Sequence, residues 1–327
     1  MKVLVTGAGA VLGQGIIKSL RQSTLDCEVV AADPNPLSAG LYWADRGYRV
    51  PMAGDAGFGD RVEEIIAVER PDAVLVGTDV ELAWFAANRA TLEKRHGAHV
   101  IVSDPRVVAI ADDKYETARF FAAAGLSPPA SAIGEDASGI EDLIATVGFP
   151  LIVKPRIGAR SVGVSLVHNR HALSAALEGR SGLVVQECVG TEDGEYTASV
   201  LVFDGEAQAS IVMRRDLRDG NTYRAYTGDY PALNHMVRAF GVALRPYGPA
   251  NFQFRIDRHG RARVFEINAR FSGTTPMRAM AGFNEVEMCL RWLLHREPIR
   301  QPAVREGVIL RFLEEMFVDQ ARIDSVS

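Results

Sequence analysis

The sequence predicts an α/β protein in three parts, the last of them α+β in character. Three observations carry this. Strands and helices alternate from the N-terminus to about residue 112, a second glycine-rich loop marks a small unit over 113–187, and residues 188–327 are rich in strands before turning helical.

In the first part, Lys2–Thr6 is a short apolar strand, Gly7–Gly13 a glycine-rich turn, and a helix follows to about Arg21. Glu28–Ala32 reads as a strand ending at Asp33, 59–69 as a helix, Ala73–Val76 as a strand, 80–92 as a helix and His99–Val102 as a strand. Asp104-Pro105 caps a further helix. Such alternation predicts a parallel sheet. In the middle part a helix over 113–124 gives way to Pro128-Pro129, a boundary signal. A helix near 138–146, a strand at 151–154, the loop Arg156–Val162, a strand at 163–167, a helix at 170–178 and the strand Leu183–Glu187 complete this unit. In the last part Glu195–Phe203 and Ala207–Arg214 pair through Asp204-Gly205 as a hairpin. A polar stretch, 215–230, leads to a helix at 231–244 and a second hairpin turning at His259-Gly260. Helices at Pro276–Gly282 and Glu285–His295 and a late strand, Val308–Leu313, follow.

Composition narrows the function classes. The chain has 327 residues, 47% hydrophobic and 24% charged, an ordinary globular balance with ample core. Its net charge of −5 and the lack of a basic stripe argue against nucleic acid. No apolar run approaches the roughly 18 residues of a membrane span. The chain enters a strand at once, without the layout of a signal peptide. Cys27, Cys188 and Cys289 lie far apart without metal spacing and fit buried thiols in a reducing cytoplasm. Of 36 basic residues only five are lysines (Lys2, Lys18, Lys94, Lys114, Lys154), so arginine serves wherever a surface cation will do and a lysine in an apolar setting stands out.

The second hairpin carries the strongest chemistry. Side chains alternate along a strand, so Phe252, Phe254 and Ile256 share one face, as do Phe265 and Ile267, while Gln253 sits opposite Glu266 with Asn268 and Arg270 on the same side. Carboxylate and amide oxygens suit Mg²⁺, and a guanidinium beside them suits phosphate or carboxylate. An exposed polar sheet face is the plain alternative; the flanking Asn251-x-Gln253-Phe254 and Ser272-Gly273-Thr274-Thr275 favour function. Lys154 ends an apolar strand before Pro155, where an ammonium is costly unless it faces an anion. The glycine-rich loop after it, Arg156 to Val164, can cover phosphates with its amides or be a surface loop. The strand 184–190 can offer backbone to an adenine edge and Glu195 can hold a ribose, or the strand is a plain connection.

Two other classes lose support. Gly7-x-Gly9 with Gly13 and Asp33 suggests a dinucleotide loop and an epimerase-like oxidoreductase, but Leu12 replaces the third glycine and no lysine follows a tyrosine by four residues. The seven histidines make no metal spacing, and neither a nucleophile elbow nor a Walker A sequence appears.

Taken in order, these elements resemble the ATP-grasp superfamily in its carbamoyl-phosphate-synthase-like branch. The resemblance runs through Asp113-Lys114, Val153-Lys154-Pro155, the glycine-rich loop, Gln186-Glu187-Cys188-Val189, Gly194-Glu195-Tyr196, Asn251-x-Gln253-Phe254 and Glu266-x-Asn268-x-Arg270, and covers nearly the whole chain. It implies an ATP-grasp fold with an N-terminal Rossmann-like domain (1–112), a lid (113–187) and a C-terminal subdomain carrying the metal and phosphate site (188–327). It implies that Lys114 and Lys154 contact nucleotide phosphates and that Gly158, Ser161 and Gly163 close over them. Glu187, Cys188 and Val189 would meet adenine and Glu195 the ribose. Gln253, Glu266 and Asn268 would ligate two Mg²⁺ ions, with Mn²⁺ as a substitute, and Arg270 would steady the transferring phosphoryl group. Arg156 and Arg160 depart from the family's loop pattern and read as extra phosphate or substrate contacts.

The implied activity is ATP-dependent carboxylate–amine ligation through an acyl phosphate by a cytoplasmic enzyme, with homodimers common among relatives. The alternatives are carbamoyl-phosphate or carboxyphosphate formation, a nucleotide-binding protein without turnover, or the epimerase-like reading. Candidates for the substrate pocket are the turn Gly77–Glu81, with Glu81 foremost, at a strand end where α/β crevices form. Arg214 and Arg215, and Ser272 and Thr274, are the others. Each has a plain alternative: a helix cap, solvated charge, a simple loop.

Overall fold

The computed structural model describes residues 1–158, 161–190 and 194–326. The apolar strands at the start of the chain become the middle of a parallel sheet. They are β1 (Lys2–Val5), β2 (Glu28–Asp33), β3 (Arg46–Arg49), β4 (Ala73–Leu75) and β5 (His99–Ile101), in the order β3-β2-β1-β4-β5. Their crossovers are α1 (Val11–Arg21), α2 (Ala39–Trp43), α3 (Phe58–Glu69) and α4 (Asp79–His96). Because both faces are covered, β1 reads as an apolar run rather than an alternation. Neither α2 nor β3 was expected from the sequence: a five-residue helix and an edge strand of sequence Arg-Gly-Tyr-Arg have no apolar period to detect.

After α5 (Pro105–Asp112) and α6 (Lys114–Ala123) comes a small antiparallel sheet, β6 (Ser131–Ile133), β7 (Leu151–Pro155), β8 (Ser165–Val167) and β9 (Leu183–Glu187), ordered β6-β9-β7-β8. It carries α7 (Ala137–Val147) and α8 (Arg170–Leu177), and the glycine-rich loop joins β7 to β8. Its core, including Leu143, Leu151, Val153 and Leu173, is its own. By contrast α6, which sequence placed in this middle unit, sends Phe121 into the core of the next sheet.

That sheet contains β10 (Glu195–Phe203), β11 (Glu206–Arg218), β12 (Asn221–Thr227), β13 (Gly248–Ile256), β14 (Ala262–Asn268) and β15 (Gly307–Leu310), in the order β14-β13-β10-β11-β12-β15. The polar stretch 215–230 therefore holds the end of β11 and all of β12. It hid because β12 buries only Thr222 and Ala225. One face of the sheet packs on α5, α6 and α9 (Pro231–Leu244). On the other face Leu201, Phe203, Ile211 and Met213 share one core with Val3, Val5, Ile16 and Leu20 of the parallel sheet. Residues of α10 (Thr275–Met280) and α11 (Glu285–His295), such as Met277 and Leu290, complete that core. A short α12 (Gln320–Asp324) closes the chain.

The second hairpin corrects one expectation. Gln253 pairs with Glu266 as anticipated, but Phe254 pairs with Val264, leaving Phe265 as the extra residue of a β-bulge. The bulge puts Val264 and Ile267 in the core and turns Phe265, half-buried, out of it.

Candidate active site

The site lies on the sheet face that carries Gln253 and Glu266, beneath the small sheet and beside the C-terminal ends of the parallel strands. Lys154 is the last residue but one of β7 and is buried there, its Nζ donating to Gln186 Oε1 (2.8 Å) and the Phe265 carbonyl (3.4 Å) and lying 5.3 Å from the Phe265 ring centroid. Burial lowers its pKa to about 8, opposed by the nearby Glu266 carboxylate. The bulge thus supplies a wall and a carbonyl for this ammonium. Gln186, whose amide also donates to Ser131 Oγ (2.9 Å), is a holding residue that sequence reasoning passed over; its place one residue before Glu187 was the available signal.

Lys114 is also buried and donates to the carbonyls of Gly158 (2.7 Å) and Arg156 (3.4 Å), at the base of the glycine-rich loop. Arg156 does not reach into the site. It forms a bidentate pair with Asp113, Nε and Nη2 lying 3.0 and 2.6 Å from Oδ2, and Asp113 in turn caps α6. Arg160 lies outside the described residues. Ser161 and Gly163 both have positive φ, and Gly163 backs onto Pro155 so closely that a side chain there would crowd it.

At the end of β9, Glu187 carries its carboxylate to the Ala130 amide (3.0 Å) and the Arg263 guanidinium, so its side chain is a strut. Cys188 and Val189 make no hydrogen bond among the described residues, leaving their backbone groups available. Glu195, expected at a ribose, is held by Arg215 Nε (3.0 Å) and Arg255 Nη2 (3.1 Å). Arg215 also donates to Gln253 Oε1 (2.6 Å).

Glu266 Oε1 accepts from the amides of Gln253 and Asn268, both at 3.0 Å, while its Oε2 has no hydrogen-bond partner among the described residues. The amide oxygens accept from Arg215 and Arg270 and keep a second lone pair each. One free carboxylate oxygen beside two amide oxygens fits a hard cation that draws its remaining ligands from phosphates or water. No group of three or more His, Cys, Asp or Glu suited to a metal occurs among the described residues. Arg270 is nearly buried and uses four of its five N–H donors: Nε and Nη2 pair with the two Asp79 oxygens at 2.5 and 2.9 Å, Nη2 also donates to Asn268 Oδ1 (2.7 Å) and Nη1 to the Phe271 carbonyl (2.9 Å).

The substrate candidates separate. From the turn after β4 it is Asp79 that faces the site. Glu81 is buried, accepts from Thr6 Oγ1, and has its pKa pushed to about 7 by burial, opposed by the Thr6 hydrogen bond. Arg215 joins the site, but Arg214, one residue earlier on β11, points to the opposite face, stacked 3.8 Å from the Tyr226 ring centroid and 3.5 Å from Asp216. Ser272 and Thr274 are buried and turn inward: their hydroxyls bond each other (2.8 Å), and Ser272 Oγ accepts from Arg278 Nη1 (3.1 Å). Arg278 is itself fully buried on Glu285 (3.0 Å), so this loop is anchored rather than open.

The glycine-rich turn after β1 has a packing role. A Cβ on Gly77 would lie 2.1 Å from the Thr6 carbonyl and one on Gly13 2.2 Å from the Gly7 carbonyl, so the turns after β1 and β4 interlock. Asp33, the ribose ligand of a dinucleotide site, accepts here from Gly9 N (2.6 Å), Asn35 N (3.0 Å) and Ser38 Oγ (2.6 Å). No helix among the described residues is long and apolar enough to cross a membrane.

Comparison with known proteins places this geometry. Residues 3–101 match the family described as PylC-like, N-terminal domain, residues 111–230 the RimK-like ATP-grasp domain, and residues 181–316 the ATP-grasp in the biosynthetic pathway with Ter operon. The carbamoyl phosphate synthase large chain of Gemmatimonas aurantiaca is 23% identical over 322 residues, covering 86% of this chain and 28% of the relative. The chain thus spans little more than a quarter of the first curated relatives it matches. The N5-carboxyaminoimidazole synthetase of Staphylococcus aureus, solved with ADP, superposes with a TM-score of 0.68 at 15% identity, covering 94% of this chain and 79% of that one. The biotin carboxylase domain of the Hydrogenobacter thermophilus 2-oxoglutarate carboxylase, solved with MgADP, ADP and bicarbonate, gives 0.69 at 17%, covering 94% and 73%.

Proposed function

The chain belongs to the ATP-grasp superfamily, and from that premise we propose that it is an ATP- and Mg²⁺-dependent ligase joining a small carboxylate to an amine through an acyl phosphate. One observation carries the reading. The row Glu266, Asn268 and Arg270 shares its sheet face with Gln253, has Lys154 in its electrostatic range, and meets Asp79 of the N-terminal unit at its far end. A carboxylate suited to a cation, an ammonium suited to phosphate and the meeting point with the N-terminal unit thus lie in one line, which supports the reading.

A carboxylate at neutral pH is a poor electrophile, and phosphorylation by ATP supplies the leaving group that an amine then displaces. Lys154 and Lys114 would hold the phosphates, Glu266 with Gln253 and Asn268 would hold Mg²⁺, and the free backbone of Cys188 and Val189 would meet the adenine edge. Bound there, Mg²⁺ neutralises charge on the phosphates. Arg270 would bear on the developing charge once an anion competes with Asp79 for it. The loop between β7 and β8 and the small sheet would exclude water from the acyl phosphate.

The test is ADP release from Mg²⁺-ATP against pairs of small acids and amines. Glu266→Ala is expected to lower turnover about a thousandfold or more with an unchanged circular dichroism spectrum. Unchanged turnover would remove Glu266 from the metal site, and no ATP binding by the native chain would end the ligase reading. Bicarbonate serves as the acid in the second reading, which the names of the carbamoyl phosphate synthase and bicarbonate-bound relatives support. Bicarbonate-dependent ADP release without any other acid would select it.

A further inference from the structure

The loop after Arg270 was expected to offer hydroxyls to a substrate, but Ser272 and Thr274 turn theirs inward to each other and to Arg278. What meets the loop from the sheet side is Arg311, 38 residues along the chain, donating through Nη2 to the Gly273 carbonyl. Its backbone amide donates to the Tyr223 carbonyl (3.0 Å), so it extends the β15 ladder by one residue. Ile309, two residues earlier, pairs with Ala225 and packs in the core on the site's side of the sheet; alternation puts Arg311 on that side too. Val11, at the start of α1, borders Gly273 from the parallel-sheet unit, within 3.2 Å of where a Cβ would stand.

Arg311 differs from the other arginines around the cleft. Arg156, Arg215, Arg255, Arg263, Arg270 and Arg278 each pair with a carboxylate. Arg311 is partly buried, has no ion-pair partner among the described residues, and burial alone holds its pKa below the usual arginine value. A half-desolvated guanidinium facing one carbonyl is unfavourable until an anion meets it.

We propose that Arg311 is the anion-binding residue of the acid substrate, gripping a carboxylate of a small organic acid at the Gly273 end of the cleft, three residues from Arg270. This deepens the ligase reading and rests on it. The guanidinium fork matches a planar carboxylate, and no acidic side chain competes for it among the described residues.

The test is equilibrium binding to the full chain with saturating MgADP, using glycine, L-glutamate, succinate and acetate as probes and ethanolamine as the carboxylate-free control. MgADP affinity is titrated first and is expected to be equal in the native chain, Arg311→Gln and Arg311→Lys, which also shows that the variants fold. At least one carboxylate probe is expected to bind the native chain, about tenfold or more weaker in Arg311→Gln and intermediate in Arg311→Lys. Equal binding to the native chain and Arg311→Gln, or no carboxylate binding to the native chain, overturns the assignment. Failure of MgADP to bind is a separate result against the nucleotide site; the probes are then titrated alone, and the same loss in Arg311→Gln supports the assignment while equal or absent binding overturns it.

Discussion

The small sheet over β6–β9 and the two larger sheets are held in different ways. The parallel sheet and the site-bearing sheet share one apolar core, with Val5 and Ile16 of one packed among residues such as Phe203 and Met213 of the other. The small sheet closes its own core and meets the rest through polar contacts. These are Arg156 on Asp113, Lys114 on the Gly158 carbonyl, Lys154 on the Phe265 carbonyl and Arg263 on Glu187. Apolar burial is non-directional and strong in sum, whereas ion pairs near solvent exchange readily for water and ligand. The two larger sheets thus share one core while the small sheet keeps its own, and among the groups joining them Lys114 and Lys154 are those expected to meet a nucleotide.

The largest effect that separates the two should come from paired core truncations. Phe203→Ala in the shared core is expected to cost about 3–5 kcal/mol and to raise amide exchange in both larger sheets together. Leu151→Ala in the small core should cost about 2–5 kcal/mol but raise exchange mainly over the small sheet. Equal loss of protection in the parallel sheet from Leu151→Ala would show that the units are not separable.

A subtler effect concerns Lys154, at the seam. Its folded pKa of about 8 lies below the unfolded value. The folded state therefore binds fewer protons between pH 8 and the unfolded pKa, and this group's contribution to stability rises with pH across that window and is absent below it. Anionic phosphates reverse the bias. Calorimetry of MgADP binding at pH 8.5 in buffers of different ionisation enthalpy should therefore show uptake of about three-quarters of a proton. Lys154→Arg should show almost none. Equal uptake by both would place the proton elsewhere.

The smallest effect should follow Arg156→Ala, which frees the loop base from Asp113. Both groups are only partly buried, so the expected loss is about 1 kcal/mol or less, seen as faster exchange over the small sheet without change in the larger ones. A matching change in the parallel sheet would contradict the comparison.

Much of this was legible in the chain. Leu183–Glu187, Glu195–Phe203 and Glu285–His295 have the predicted bounds, because apolar period and turn signals agree there. The pairing of Gln253 with Glu266 followed from a turn placed at His259-Gly260, although the observed turn, closed by Ile256 and Ala262, is one residue longer and the bulge offsets it. The bulge at Phe265 did not, since one extra residue leaves no compositional trace. Arg214 and Arg215 looked equivalent until the register put them on opposite faces. Asp79 and Glu81 stood equally near a strand end, and burial decided which of them reaches Arg270.

The sequence by itself determined the strand–helix alternation of the first part, the parallel sheet, and the row of oxygen ligands ending in Arg270, because these depend on neighbours a few residues apart. Only the tertiary structure decided the partners of the charges. It gave Arg270 to Asp79, Glu195 to two arginines, Lys154 to a bulge carbonyl, and left Arg311 beside Gly273 without a carboxylate among the described residues. An ion pair between distant residues is set by which surfaces the shared core brings together, and no local pattern encodes that.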